Sequence, residues 1–319
     1  MIFEKQVVNL YKGMMHTRCD DTETVFYFSC ENFEGLKKEP YSFKASAGHT
    51  LNGYFYNYDG YDPNRLIVFD HGFGGGHRAY MKEIEKLCKH GYRVFSYDHT
   101  GCMDSEGETP NGLGQSLCDL NDCITALKAE PSLADCELSV MGHSWGAYST
   151  LNISALHPEI KKIVAMCGFV SVDEMIGTFF SGPLKGYRDA VLALEKRSNP
   201  VFANFNSVES LTISKAKALL IYSEDDQLCK RKHYDILKKA LSARPDTKFI
   251  FVKGKSHNPN YTEEAVKYLN EFGSARAKLA RNKKATAEDK ARFVASYDWE
   301  KMTEQDEALW QEIFEHLDK

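Results

Sequence analysis

The chain has 319 residues, 43% of them hydrophobic, with 19 Phe and 17 Tyr, enough apolar material for a large core and too much for a disordered chain. A net charge of -5, with no block of like charge through the main body, argues against nucleic acid or an anionic membrane as the main partner and leaves a small molecule as the expected one. Nine scattered cysteines (19, 30, 88, 102, 118, 123, 136, 167, 229) form no CxxC pair, no apolar run of about 18 residues offers a membrane span, and the first ten residues lack a basic segment before an apolar one; reduced thiols and a cytoplasmic location are the expectation.

The N-terminal stretch reads as a short helix. Residues 24–30, 41–45 and Leu51–Tyr58 then read as strands rich in aromatic and β-branched residues, with Gly48 and Gly60 as turn marks, which predicts an antiparallel opening. From Leu66 the pattern changes to short, nearly continuous apolar runs: Leu66–Asp70, Tyr92–Tyr97, Leu138–Met141, Ile163–Cys167, Ala218–Tyr222 and Lys248–Val252. Between them His77–His90, Leu113–Ala129, Trp145–Leu156, Leu228–Ser242 and Thr262–Phe272 carry helical periodicity. Strand and helix in alternation predict an α/β fold, a doubly wound and mostly parallel sheet covered on both faces.

Two segments break this alternation. Gly168 to Ser214 is far longer than a usual loop and carries many aromatic and aliphatic residues, which predicts a small helical lid inserted at about 168–214. Its Phe169, Met175, Phe179 and Phe180 are the candidate substrate contacts. Beyond Phe272 come a basic stretch (Arg276, Lys278, Arg281, Lys283, Lys284) and an acidic amphipathic helix, Thr303 to Leu317, with Leu309, Trp310, Ile313, Phe314 and Leu317 on one face and a cap-like Thr303 and Asp306 at its start. Residues 1–40 thus read as an N-terminal segment, 41–272 as the main domain, and 273–319 as a C-terminal helical extension that packs on the domain or supplies a homodimer contact.

Gly142-His143-Ser144-Trp145-Gly146 stands directly between an apolar strand and a helical segment. A serine on a sharp strand-to-helix turn is forced into the open, and the helix behind it favours developing negative charge. Such a pentapeptide arises by chance in roughly one chain in ten of this length, so its placement matters more than its letters. His71-Gly72-Phe73-Gly74-Gly75-Gly76 ends an earlier strand, and its glycines let backbone N–H groups come close to a ligand; it has neither dinucleotide spacing nor a Gly-Lys-Ser/Thr. A serine hydroxyl needs a base, and downstream of Ser144 only His157, His233, His257 and His316 exist. His257 lies in a loop directly after a strand; His157, at a helix end, and His233, within a helix, read as surface residues.

Over about residues 41–272 these features resemble the α/β-hydrolase superfamily. The resemblance implies Ser144 as nucleophile, Asp226 as the acid that orients the base, and His257 as the base, in that chain order. It makes the N–H groups of Phe73 and Trp145 an oxyanion hole and His71 structural. In Ser223-Glu224-Asp225-Asp226-Gln227-Leu228, Asp226 fits the family's spacing best, with Asp225 the runner-up and Asp173 the family's alternative location. Tyr97 to Gly107 resembles a family turn with Met103 where glycine is common, which makes Asp98 and Ser105 hydrogen-bonding turn residues. Serine at position 144 excludes the fold's dehalogenases and epoxide hydrolases, which need aspartate there. No His-Glu-x-x-His or paired-cysteine motif suggests a metal, and no cofactor is called for. The expected function is hydrolysis of a small-molecule carboxylic ester through an acyl-enzyme. The alternatives are amide or peptide hydrolysis, with Glu174, Asp189 or Glu195 anchoring an amine, and a non-catalytic binding protein on the same scaffold.

Overall fold

The computed structural model describes residues 3–20 and 28–319. Its strands are β1 (Lys37–Lys44), β2 (Thr50–Asn57), β3 (Arg65–Asp70), β4 (Arg93–Tyr97), β5 (Glu137–His143), β6 (Lys162–Met166), β7 (Lys217–Ser223) and β8 (Thr247–Val252). They form one sheet in the order β1-β2-β4-β3-β5-β6-β7-β8. β1 and β2 form an antiparallel hairpin and β2 is antiparallel to β4, while every later pairing is parallel. The antiparallel opening and the six parallel strands match expectation. Of the run 24–30, residues 24–27 lie outside the described residues, and Cys30–Asn32 is a short 3-10 turn.

The helices are α1 (Glu4–Met15), α2 (Met81–Lys89), α3 (Gln115–Ala129), α4 (Trp145–Leu156), α5 (Val172–Phe179), α6 (Arg188–Ser198), α7 (Ser207–Ile213), α8 (Arg231–Leu241), α9 (Glu263–Arg281), α10 (Ala287–Ala295), α11 (Trp299–Met302) and α12 (Glu307–Asp318). Side chains alternate across each strand, so the sheet feeds two apolar layers. Val68, Phe95, Val140, Ile163 and Leu220 point into one, with Leu117, Leu120 and Ile124 of α3, Leu151 of α4, and the lid helices. Ile67, Phe69, Val94, Met141, Val164 and Ile221 point into the other, with Ile84 and Leu87 of α2.

Helix α12 completes that second layer. Leu309, Trp310, Ile313, Phe314 and Leu317 are all buried there, Trp310 completely, each burial stabilising by about 1.5–3 kcal/mol. The face read as a dimer contact is therefore occupied within the chain. Arg65 and Lys162 donate to the Leu317 carbonyl at 2.6 and 2.8 Å, where cations suit the negative end of a helix. The helix starts later than its periodicity predicts: Asp306, not Thr303, is the N-cap, accepting from Ala308 N and Leu309 N, while the Thr303 hydroxyl donates back to Trp299 O at 2.8 Å. The lid segment folds into α5, α6 and α7 with short 3-10 turns between, and α1 packs on it.

Candidate active site

Ser144 sits between β5 and α4 with φ 57° and ψ −111°, a left-handed backbone that an L-residue adopts only when its surroundings impose it, at a cost of about 1–3 kcal/mol. The surroundings are tight. A Cβ on Gly146 would lie 2.1 Å from Asp70 O, and one on Gly142 would lie 2.4 Å from Gly146 O and Thr150 Oγ1, so both glycines are required by close packing of β5, β3 and α4. Ser144 N–H still donates to Met166 O of β6 at 2.9 Å, which fixes the turn while the hydroxyl projects from the carboxyl edge of the sheet.

The loops after β7 and β8 meet it there. His257 Nε2 lies 2.8 Å from Ser144 Oγ, and His257 Nδ1 lies 2.7 Å from Asp226 Oδ2. The other Asp226 oxygen accepts from Leu228 N at 2.8 Å and Cys229 N at 3.0 Å. Burial opposes charge on Asp226, but the bond to His257 and the backbone donors outweigh it and hold the carboxyl below its ordinary range. Asp225 points elsewhere: it accepts from Ser223 Oγ at 2.7 Å and Ser256 N at 3.0 Å, and so anchors the loop that carries His257. Asp173 pairs with Arg188 at 2.9 Å on the lid. Of the three carboxylates weighed, Asp226 is the one that reaches the imidazole.

The glycine-rich turn after β3 lies beside the serine, since a Cβ on Gly72 would come within 3.4 Å of Ser144 Cβ. Trp145 opens α4, where backbone N–H groups have no partner inside the helix. The Phe73 and Trp145 rings meet edge to face at 5.1 Å, and Trp145 Nε1 donates to Leu113 O at 2.8 Å, so the side chains of the two expected donors brace each other. His71 is held down to about 3 by burial and is neutral. Its Nε2 accepts from His99 N at 3.0 Å, which leaves Nδ1 to donate to Gly72 O at 2.7 Å and fix the turn.

A family model described as serine aminopeptidase, S33, matches residues 61–206. The Pyrococcus furiosus esterase Pf2001 superposes with a TM-score of 0.60 at 19% identity, over 82% of this chain and 98% of that one. The chain has the α/β-hydrolase fold. A Pyrococcus horikoshii acylaminoacyl peptidase also shares the fold, with a TM-score of 0.54 at 16% identity over 82% of this chain and 45% of that one. RutD of Agrobacterium fabrum, whose name assigns it provisionally as a carbamate hydrolase, is 28% identical over 117 residues. That match spans 36% of this chain and 42% of RutD.

Against this α/β-hydrolase frame the other expected residues divide. Asp98 accepts from His77 N and Nδ1, each at 2.8 Å, and from Asp104 N at 3.1 Å, while Ser105 Oγ donates to Asp98 O at 2.5 Å, as turn residues do. Met103 takes φ 41°, adopting at some strain the left-handed backbone for which glycine is usual. Phe169 is 1% exposed and stacks on Tyr148 of α4 at 4.5 Å, which makes it a core residue beneath the lid rather than an open wall. Met175 is buried, and Phe180 is buried against Tyr11 of α1, with ring centroids 6.0 Å apart. Phe179, 37% exposed, is the lid aromatic of these four that remains open.

His233 is a correction. It is fully buried, with Nδ1 accepting from Val170 N at 3.3 Å and Nε2 3.3 Å from Thr178 Oγ1, and burial pushes it down to about 4. Its spacing with Leu237 and Leu241 on the inner stripe of α8 is the signal that assigns it to the interior.

Three further side chains near the site were not singled out from sequence. Gly72 N–H donates to Tyr80 Oη at 3.1 Å, Tyr80 lies 2.8 Å from His143 Nδ1, and His143 Nε2 lies 2.6 Å from the His257 carbonyl. Burial holds His143 down to about 3, so it is neutral. The carbonyl requires Nε2–H, which leaves Nδ1 to accept the Tyr80 proton. This chain of bonds joins the glycine turn to the backbone of His257. Cys167 adds a thiol bond to Asp226, and its sulfur lies with Asp226 and His257 in a group whose possible ligand atoms fall within 4.8 Å of one another.

Proposed function

We propose that the protein is a serine hydrolase that cleaves a small or medium-sized carboxylic ester through an acyl-enzyme. The observation that carries this reading is the unbroken run Ser144 Oγ, His257 Nε2, His257 Nδ1, Asp226 Oδ2 at 2.8 and 2.7 Å. Ser144 attacks the ester carbonyl while His257 takes its proton. Asp226 fixes the tautomer and stabilises the imidazolium, and the N–H groups of Phe73 and Trp145 receive the oxyanion. The alkoxide leaves with the proton from His257, and water repeats the sequence to release the acid.

Ester rather than aminoacyl substrates are favoured by what happens to the acidic residues of the lid. Glu195 is fully buried and accepts from Tyr11 Oη at 2.7 Å and Leu113 N at 2.6 Å, with His16 Nε2 at 3.3 Å. Glu174 is paired with Lys232, and Asp189 is exposed to solvent. A substrate ammonium would find none of them desolvated and free.

A fluorophosphonate probe should label the protein, and Ser144→Ala should abolish labelling; labelling that survives would remove Ser144 from the role. On p-nitrophenyl esters of rising acyl length, Asp226→Asn should lower kcat by orders of magnitude, on the scale of about 10⁴ seen when a triad acid is neutralised, and Asp225→Asn should not. Faster turnover of aminoacyl-anilides than of every ester would overturn the substrate class.

A further inference from the structure

Among the nine cysteines, two are brought together by the backbone itself. Cys19 and Cys102 are partners in a short parallel bridge, with Cys19 N–H donating to Gly101 O at 2.9 Å and Met103 N–H donating to Cys19 O at 3.0 Å. Adjacent backbones in such a pairing lie about 4.8 Å apart, inside the Cα separation that a disulfide spans. Arg18 docks the same segment on the same loop, donating to Gly107 O at 2.8 Å and Met103 O at 2.5 Å. The two thiols share a hydrogen bond. Their exposure differs: Cys19 is half-buried and open to a small solute, and Cys102 is completely buried behind it.

We propose that Cys19 and Cys102 form a peroxide-oxidisable dithiol, with Cys19 the attacking sulfur and Cys102 the resolving one. The Cys19 thiolate attacks hydrogen peroxide, an S–O bond forms as the O–O bond breaks, and hydroxide leaves. The Cys102 sulfur then attacks the Cys19 sulfenic acid; the S–S bond forms, the S–O bond breaks, and the oxygen departs as water with the thiol's proton. Two thiols lose two electrons and peroxide becomes two waters.

The electrostatics distinguish Cys19 from the other accessible thiols. The hydrogen bond from Cys102, aided by Arg18 against burial and Asp20, holds Cys19 below the usual thiol range. The two other half-buried cysteines go the opposite way: burial pushes Cys118 up to about 12 and raises Cys136. Thiolate character and access therefore coincide at residue 19. The bond would fasten residues 17–20 to the loop whose Asp98 holds His77 at the end of the glycine turn.

The test is to reduce the full-length protein, expose it to hydrogen peroxide, and map the unreduced digest by mass spectrometry. The expected first product is a peptide pair joined through residues 19 and 102, reopened by dithiothreitol and absent in Cys19→Ser. In Cys102→Ser the sulfenic acid has no partner, so dimedone should trap it at Cys19. A first disulfide between any other pair, or oxidation of another cysteine ahead of Cys19, overturns the proposal, and the wild-type map decides this even if Cys102→Ser does not fold. The readout counts thiols without turnover, so it stands or falls separately from the ester reading.

Discussion

The lid and the C-terminal segment look opposite in sequence from what they are in the fold. Residues 168–214, rich in exposed-looking aromatics, place Phe169 in the core and tie α6 to α1 through buried Glu195. Residues 303–319, which read as an appendage, cover one face of the sheet together with α2 and reach the site as well. Asp306 accepts from Lys255 Nζ at 2.8 Å, Lys255 donates in turn to Tyr261 O at 2.7 Å, and Asp306 N–H donates to Asn260 O at 2.7 Å, so the start of α12 braces the loop that carries His257. Apolar periodicity reports that a helix has a buried face; it does not report which surface buries it.

Substitutions in the two regions should separate accordingly. Trp310→Ala should cost about 3–5 kcal/mol of stability, the usual range for emptying a fully buried large aromatic, and a melting temperature close to wild type would show that α12 is an appendage after all. Acid should act on both regions through one buried histidine each. His316 in α12, which donates to Ile163 O, and His233 at the lid are both pushed down to about 4 by burial. A histidine with a depressed folded pKa is neutral in the fold and takes up a proton on unfolding. The stability it contributes is therefore full above the unfolded value of about 6.5 and falls as pH drops toward about 4. Melts between pH 7 and pH 4 should show this decline, and His316→Gln or His233→Gln should each flatten it; an unchanged slope in both would refute burial as the cause.

Asp306→Ala removes an N-cap, worth about 0.5–2 kcal/mol, and should also lower kcat several-fold by loosening the His257 loop, while an Ala substitution at Thr286, the exposed N-cap of α10, should leave turnover alone. The smallest effect belongs to the lid: Phe179→Ala should change stability by no more than about 0.5 kcal/mol while raising KM for longer acyl chains. Equal KM across the ester series would remove Phe179 from the pocket.

Most of the sheet was legible because parallel strands buried on both faces must be continuous apolar runs, and six of them stand in the sequence with helices between. The serine turn was legible for a similar reason: Gly142 and Gly146 are required by contacts below 2.5 Å, which leave a fixed pattern of letters. The choice between Asp225 and Asp226 was not settled by their adjacency, because both carboxylates are bonded and only direction separates them. Nor could Tyr80 and His143 be found, since a bond from residue 80 to residue 143 and on to 257 leaves no local spacing to read. His233 was read as a surface residue because it lies within a helix, although it stands on the inner stripe of α8 with Leu237 and Leu241.

Asp306 holds two offices at once, as helix cap and as the far end of the Lys255 tether. A random-mutagenesis screen scored by ester turnover should therefore return a second cluster of hits around residues 303–314, nearly as dense as the one at the triad and distant from it in sequence. Ranked by activity alone, those positions would pass for catalytic ones; ranked again by melting temperature, they would fall out as the mounting that keeps the histidine in place.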